Sequence, residues 1–273
     1  MAHTLRSRSI AHHALEVPGY TLASDVASAD WQAWRASGLA AVDAVAPQAP
    51  AVVLGGLCMG GMLAATVAQQ MRQRVAGLVL MSPTFAYDGW GMSPVRHLRH
   101  FGYWTGIDRF FSVKEREPFG VKNEKIRKWI VRELQERAVC AAGPARIPLR
   151  ALREADRMMK VARQYLQTID CPLLIIHARQ DEITTFESVR RVFDTVPQVD
   201  KQLAVLENSY HMISIDNDRQ QVASLIADFV QRVSVPNVVR APVSTQPVAS
   251  RLAVPFPGTP ELFPTFSPHL RLP

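Results

Sequence analysis

Residues 52–63 read VVLGGLCMGGML, a β-branched run that passes through Gly56-Leu57-Cys58-Met59-Gly60-Gly61 into a helical pattern. A Gly-x-nucleophile-x-Gly turn between a strand and a helix is strained, and glycines on its flanks (Gly56, Gly60 and Gly61) let the two elements approach closely enough to hold it. Such a turn pushes Cys58 out at the carboxyl edge of a sheet, where the Met59 amide, at a helix N-terminus, can act as an oxyanion donor. Serine is the usual residue in that place. A thiol there would have its pKa lowered by the helix end and further by a nearby histidine. The competing reading of Cys58 is a small buried hydrophobe in a glycine-rich turn.

Two residues could complete a nucleophilic site. Asp181 follows PLLIIHARQ (172–180), 123 residues beyond Cys58, and His211 follows QLAVLENSY (202–210), 30 residues beyond Asp181. Thiol, acid and histidine then each stand just past a strand, where ligand sites of open parallel sheets lie. In that set the thiolate attacks, the histidine moves the proton and the acid fixes its tautomer. Taken alone, Asp181 is as well read as a turn residue and His211 as one of eight histidines. Glu182, Asp216 and Asp218 read as capping or solvated, His177 as structural, and Cys140 and Cys171 as core or incidental residues.

The elements that must position these groups follow from periodicity. Short apolar runs at 51–56, 76–83, 172–178 and 202–208, with a weaker one at 11–18 (AHHALEVP), alternate with helical patterns at 30–46, 59–72 and 218–233. This is the pattern of a mostly parallel sheet with covering helices. Residues 87–169 contain no good strand and several amphipathic stretches, among them the stripe Ile126, Trp129, Ile130 and Leu134. They read as a helical insertion over the sheet. Residues 234–273 hold 9 of the 19 prolines and keep no periodicity, so they read as a disordered or loosely extended tail.

With those motifs in place, residues 10–233 resemble the carboxylesterase and monoacylglycerol-lipase branch of the α/β-hydrolase superfamily. GLCMGG (56–61) stands where a GLSMGG-type elbow would, HARQDEIT (177–184) resembles the acid loop and NSYHMISID (208–216) the histidine loop. The resemblance implies an α/β-hydrolase fold, a mostly parallel sheet with flanking helices and a helical lid. The core would comprise 1–86 and 170–233, the lid 87–169, and Cys58, Asp181 and His211 the triad, with no cofactor and no metal. It also implies a departure. Such hydrolases begin with three strands and a His-Gly loop carrying a second oxyanion amide, whereas LRSRSIAHHALEVPGYTLASD (5–25) resembles the segment after them, so the sheet is expected to be N-terminally incomplete. Three explanations stand open: a start codon set too late, a decayed remnant, or a strand at 11–18 that closes up against 51–56 while another amide completes the oxyanion hole. Losing one oxyanion donor costs on the order of 10²–10³ in rate.

The chemistry expected is acyl (ester or thioester) hydrolysis through a Cys58 thioester, with acyl transfer by the same triad as one alternative and a truncated, weakly active or inactive form of the fold, retained at most as a binding module, as the other. Phe101, Tyr103, Trp104, Phe110 and Phe111 either line an acyl pocket or form the lid's own core. The chain has 273 residues, 31 Lys+Arg against 24 Asp+Glu and 48% hydrophobic residues. Disorder throughout, fibrous repeats and coiled coil are excluded, no apolar run approaches a membrane span, and the N-terminus lacks the signal-peptide pattern, so a cytoplasmic protein is expected. The three cysteines fit neither a disulfide framework nor zinc-ligand spacing. Residues 87–169 carry 17 Lys+Arg and 9 Asp+Glu, and the rest 14 and 15. The positive excess thus belongs to the insertion. It could attract anionic substrates, an anionic lipid surface or an acyl carrier, or simply be solvated; a nucleic-acid partner is the weakest of these readings.

Overall fold

In a computed structural model of the chain, which describes residues 1–15, 17, 30–45, 47–49, 51–136, 139–140, 143–144 and 146–234, the β-branched runs pair into one parallel sheet. Its strands are β1 (Val52–Leu57), β2 (Val75–Met81), β7 (Leu173–Ala178) and β8 (Lys201–Leu206), in the order β1-β2-β7-β8. Alternation along each strand divides the core in two. Leu78 and Leu80 of β2 join Leu173 and Ile175 of β7 on one face, while Val79 and Met81 join Leu174, Ile176 and Ala178 on the other. Helices α1 (Ala2–Ser7) and α8 (Arg219–Ser234) cover the second face. The first is covered by α2 (Trp31–Val45), α3 (Met59–Gln70), α6 (Leu149–Leu166) and α7 (Phe186–Thr195). Among the described residues no helix is long and apolar enough to cross a membrane.

The weaker strand expected at 11–18 is not formed over its described residues, 11–15 and 17, which are irregular. Closure of such a strand against 51–56 is therefore not seen. Among the described residues β1 pairs with β2 only, and its side chains are half-buried where those of β7 are fully buried. The part of the Pro-rich tail beyond Ser234 lies outside the described residues.

Segment 87–169 contains α4 (Arg99–Thr105), α5 (Glu124–Glu136) and α6, and also short strands that its sequence did not announce. β3 (Ser112–Lys114) pairs antiparallel with β6 (Arg146–Pro148), and β4 (Val139–Cys140) with β5 (Gly143–Pro144). These pairings satisfy backbone groups where the chain leaves and rejoins the body. Helix α5 buries Ile126, Trp129 and Ile130 against Val121, with Met212 and Ile215 packed beside them. Helix α6 is part of the main core. Its Ala151, Ala155, Met158, Met159, Ala162 and Leu166 recur at helical spacing and are buried, and small residues of α3 (Ala64, Ala65 and Ala68) face the same cluster. Alanines on both helices allow a close approach. The arginines and lysines of α6 are therefore the outer face of a core helix. We predict that Met158→Ala, which empties a fully buried side chain, costs about 2–5 kcal/mol of stability, read as a lower urea midpoint; an unchanged midpoint would place α6 outside the core.

Candidate active site

The turn between β1 and α3 places Cys58 at φ 54° and ψ −120°. A non-glycine residue in that region is held at a cost of about 1–3 kcal/mol and persists only where its surroundings over-determine it. Here the Cys58 N–H donates to the Met81 carbonyl of β2 (2.8 Å) and the Gly61 N–H donates to the Cys58 carbonyl (3.1 Å), so the turn is tied at both ends. A Cβ on Gly56 would lie 2.1 Å from the Gly60 carbonyl carbon, and one on Gly61 3.0 Å from the Gly56 oxygen. A Cβ on Gly60 would enter open space. Close packing therefore requires glycine at 56, whereas position 60 has room for a side chain.

Asp181 and His211 come from the ends of β7 and β8. The Asp181 carboxylate is fully buried; its Oδ1 accepts the Ile183 and Thr184 amides (2.8 and 3.1 Å), and its Oδ2 accepts the His211 Nδ1–H (2.8 Å). His211 is 5% exposed, and its Nε2 makes no hydrogen bond of regular geometry among the described residues. That nitrogen is close enough to the Cys58 sulfur for each group to shift the other's ionisation. Cys58 is surrounded by protein atoms yet keeps part of its surface open.

Burial alone would disfavour every charge in this cluster, and pairing outweighs it. For His211, burial pulls the imidazolium down, but the Asp181 and Cys58 charges raise it well above the ordinary histidine range. For Cys58, burial pushes the thiol up, and the His211 charge, a hydrogen bond with the Thr84 hydroxyl (3.1 Å) and the Met59 N–H bring it below the ordinary thiol value. Asp181 is also lowered, as His211 and His177 outweigh its burial. The Cys58 and His211 charges thus each favour the other.

Four further residues act here, and only His177 had been read as structural. His177 is wholly buried and lies 3.7 Å from Asp181 Oδ2, with Nε2 on the Thr184 carbonyl at 3.0 Å; burial lowers its pKa. Thr84 follows β2, and nothing in its local sequence marks it. Glu182 and Asp216, read as capping or solvated, are buried and tie down the histidine loop. Glu182 Oε2 accepts the His211 N–H (3.1 Å), and burial raises its carboxyl. Asp216 accepts the amides of Tyr210 (2.9 Å), Lys122 (2.7 Å) and Asn123 (2.9 Å). A carboxylate within a few residues of a candidate histidine was the available signal; burial supplied the rest.

Four of the five aromatics expected either at an acyl pocket or in the lid's own core are exposed. Phe101, Trp104, Phe110 and Phe111 are 60%, 82%, 79% and 59% exposed, and Tyr103 turns inward to donate its hydroxyl to Asp156 (3.1 Å). Cys171 packs at the edge of the core, and the side chain of Cys140 lies outside the described residues. A cleft of about 430 Å³ between α6 and α7 is lined by none of Cys58, Asp181 and His211.

Two predictions follow from this geometry. Gly56→Ala should unfold the turn and sharply lower the melting temperature, whereas Gly60→Ala should stabilise by about 0.5–1 kcal/mol through reduced chain entropy. Equal effects would contradict the packing described. Alkylation of Cys58, followed against pH and located by mass, should inflect below the value of an ordinary thiol. Because burial opposes the thiolate, His211→Ala should move the inflection to or above that value, and Thr84→Val should raise it by less. An inflection unmoved by His211→Ala would dissociate the two groups.

A family model described as serine aminopeptidase, S33, matches residues 5–218. An uncharacterized abhydrolase domain-containing protein of Dictyostelium discoideum is 30% identical over 81 residues, 29% of this chain and 8% of that protein. The carboxylesterase of Bacillus subtilis is 27% identical over 86 residues, 32% of this chain and 35% of its own. The chain thus covers about a third or less of the length of these curated relatives. Among solved structures, the monoacylglycerol lipase of Paleococcus ferrophilus superposes with a TM-score of 0.67 at 18% identity, covering 85% of this chain and 87% of that one, a likeness that shows the α/β-hydrolase fold. By the match over residues 5–218, the chain belongs to the S33 serine aminopeptidase family within the α/β hydrolases.

Proposed function

We propose that the protein is a carboxylic ester hydrolase that works through a thioester acyl-enzyme on Cys58. The observation that carries this reading is a thiol held at positive φ on a strand–helix turn, beside a histidine whose outer nitrogen is within reach of the sulfur and whose inner nitrogen is fixed by a buried carboxylate. The names of two relatives, a carboxylesterase and a monoacylglycerol lipase, support a small-molecule acyl ester as substrate, and the softer thiolate extends the range to thioesters.

In the first half-reaction the Cys58 thiolate adds to the acyl carbonyl carbon, and the Met59 N–H stabilises the oxyanion. Collapse expels the alcohol or thiol, which takes its proton from the His211 imidazolium. A water then gives its proton to His211 Nε2 as it attacks the thioester. The second collapse returns the thiolate and frees the acid, while Asp181 holds the imidazole in one tautomer throughout. Thr84 and Met59, by lowering the thiol, make Cys58 a better leaving group in that last step. Segment 87–148 serves as the lid, and its basic surface favours anionic partners.

Acyl transfer to an acceptor is the second reading, because thioesters react more readily with amines and thiols than with water. Incubation with activated esters and thioesters should give a covalent adduct at Cys58 by intact mass, absent in Cys58→Ala, and free acid should appear with no acceptor added. Strict dependence on an added alcohol, thiol or amine would reassign the protein as a transferase. If no adduct forms with any acyl donor, the enzymatic reading fails.

A further inference from the structure

Helix α6 carries two stripes. One is the buried alanine and methionine side; on the other, Lys160, Arg163 and Gln164, spaced i, i+3 and i+4, stand exposed along one face. Two arginines earlier on the helix have acids: Arg153 reaches Asp108 (3.3 Å) and Arg157 reaches Glu154 (2.6 Å). Lys160 and Arg163 have neither an ion pair nor a hydrogen bond among the described residues. Two like charges at that spacing repel each other. Arg163 stands in the last turn of α6, where a cation also offsets the helix dipole; Lys160 is too far from that end for the same reason to hold.

Both cations border the cleft of about 430 Å³ between α6 and α7, a size typical of small-molecule sites, which run from roughly 300 to 1,000 Å³. The Gln167 amide, which also lines it, donates to the Thr195 hydroxyl (3.1 Å) and ties the C-terminal ends of the two helices together. Phe85, Met159 and Val192 supply apolar lining. The acid among the lining residues, Asp156, is already matched, because its Oδ2 accepts the Nε–H of Arg99 (2.9 Å) and the hydroxyl of Tyr103 (3.1 Å), both on α4. The cleft is thus left with two uncompensated positive charges beside an apolar surface. An inorganic anion would answer the charges and leave the apolar lining unused. A neutral apolar ligand would leave both cations unmatched. A carboxylate on a compact apolar body answers both.

We propose that this cleft binds a small carboxylate with an apolar body, its charge between Lys160 and Arg163 and its apolar part against Met159 and Val192. None of Cys58, Asp181 and His211 lines the cleft, so binding stands or falls separately from the hydrolase reading; under that reading the ligand is of the class of acid that the reaction releases. The test is calorimetric titration of the full chain with phenylbutyrate, beside its neutral counterpart phenylbutanol and inorganic phosphate. Saturable binding of the acid is expected, at least about tenfold tighter than that of the alcohol or of phosphate, and equal in protein alkylated at Cys58. Lys160→Ala/Arg163→Ala should weaken it at least about tenfold, and so should Gln164→Trp, which fills the cleft with the charges intact. Both variants should keep the melting temperature, since all three residues stand in solvent. Lys160→Arg should retain binding, which separates loss of charge from loss of fold. Absence of saturable binding overturns the proposal, as does binding undiminished in either weakened variant or equal binding of the alcohol or of phosphate. Loss of binding on alkylation of Cys58 overturns it too, by moving the acid to the triad.

Discussion

Everything near the site depends on one buried negative charge. The Asp181 carboxylate has no access to water, and a carboxylate so placed costs several kcal/mol unless each lone pair finds a donor. Its donors are two amides of its own loop and the His211 ring, so the loop after β7 and the loop after β8 must arrive together. The segment after β2 closes over them. Gly89 and Gly91 donate to the carbonyls of Ile183 and Glu182 (2.9 and 3.0 Å), at positions where a Cβ would collide with Glu182. Thr184 bonds back to the Ala86 carbonyl (2.7 Å). A parallel sheet delivers all three strand ends to one edge, and this charge fixes how their loops are knitted there.

The same charge explains how a cysteine can stand at the elbow. A buried thiol beside a neutral imidazole would stay protonated. Asp181 raises the imidazole, the imidazolium lowers the thiol, and each step pays against burial. The coupling therefore opposes what burial alone would impose on each group, and a thiol, with its lower ordinary pKa, responds to such a partner more readily than a serine hydroxyl would. Thr84 adds a hydrogen bond at 3.1 Å that favours the thiolate as long as the hydroxyl donates.

Much of this was legible in the residues. The four clear apolar runs matched strands because β-branched alternation is a local signal, and the glycine-flanked turn was visible because only glycine fits at 56. What escaped was set by distant partners. The run at 11–18 alternates like a strand yet has no described neighbour to pair with. The basic stretch 149–166 looked like more of the insertion, although its alanine and methionine stripe matches α3, a match invisible until both helices are placed. Phe101 and Trp104 suggested a pocket, since aromatic clusters usually face inward; the Asp156 anchor that turns α4 around lies more than fifty residues away. Glu182 and Asp216 could be noticed only as acids near a histidine, and burial gave them their roles.

Asp216 links two regions that look separate in the chain. Its carboxylate holds the amides of Lys122 and Asn123, at the base of α5, and that of Tyr210, next to His211; α5 rests on Met212 and Ile215 of the same loop. The cover cannot peel away while the histidine loop stays in register, because one buried acid would lose its donors on both sides. These segments therefore open as a single cooperative unit, with amide hydrogens exchanging together and at a lower free energy than those of β2 and β7. On heating, His211 would leave its place beside Cys58 in a local melting event while the sheet remained folded, so loss of that pairing reports the strength of the joint and not of the core.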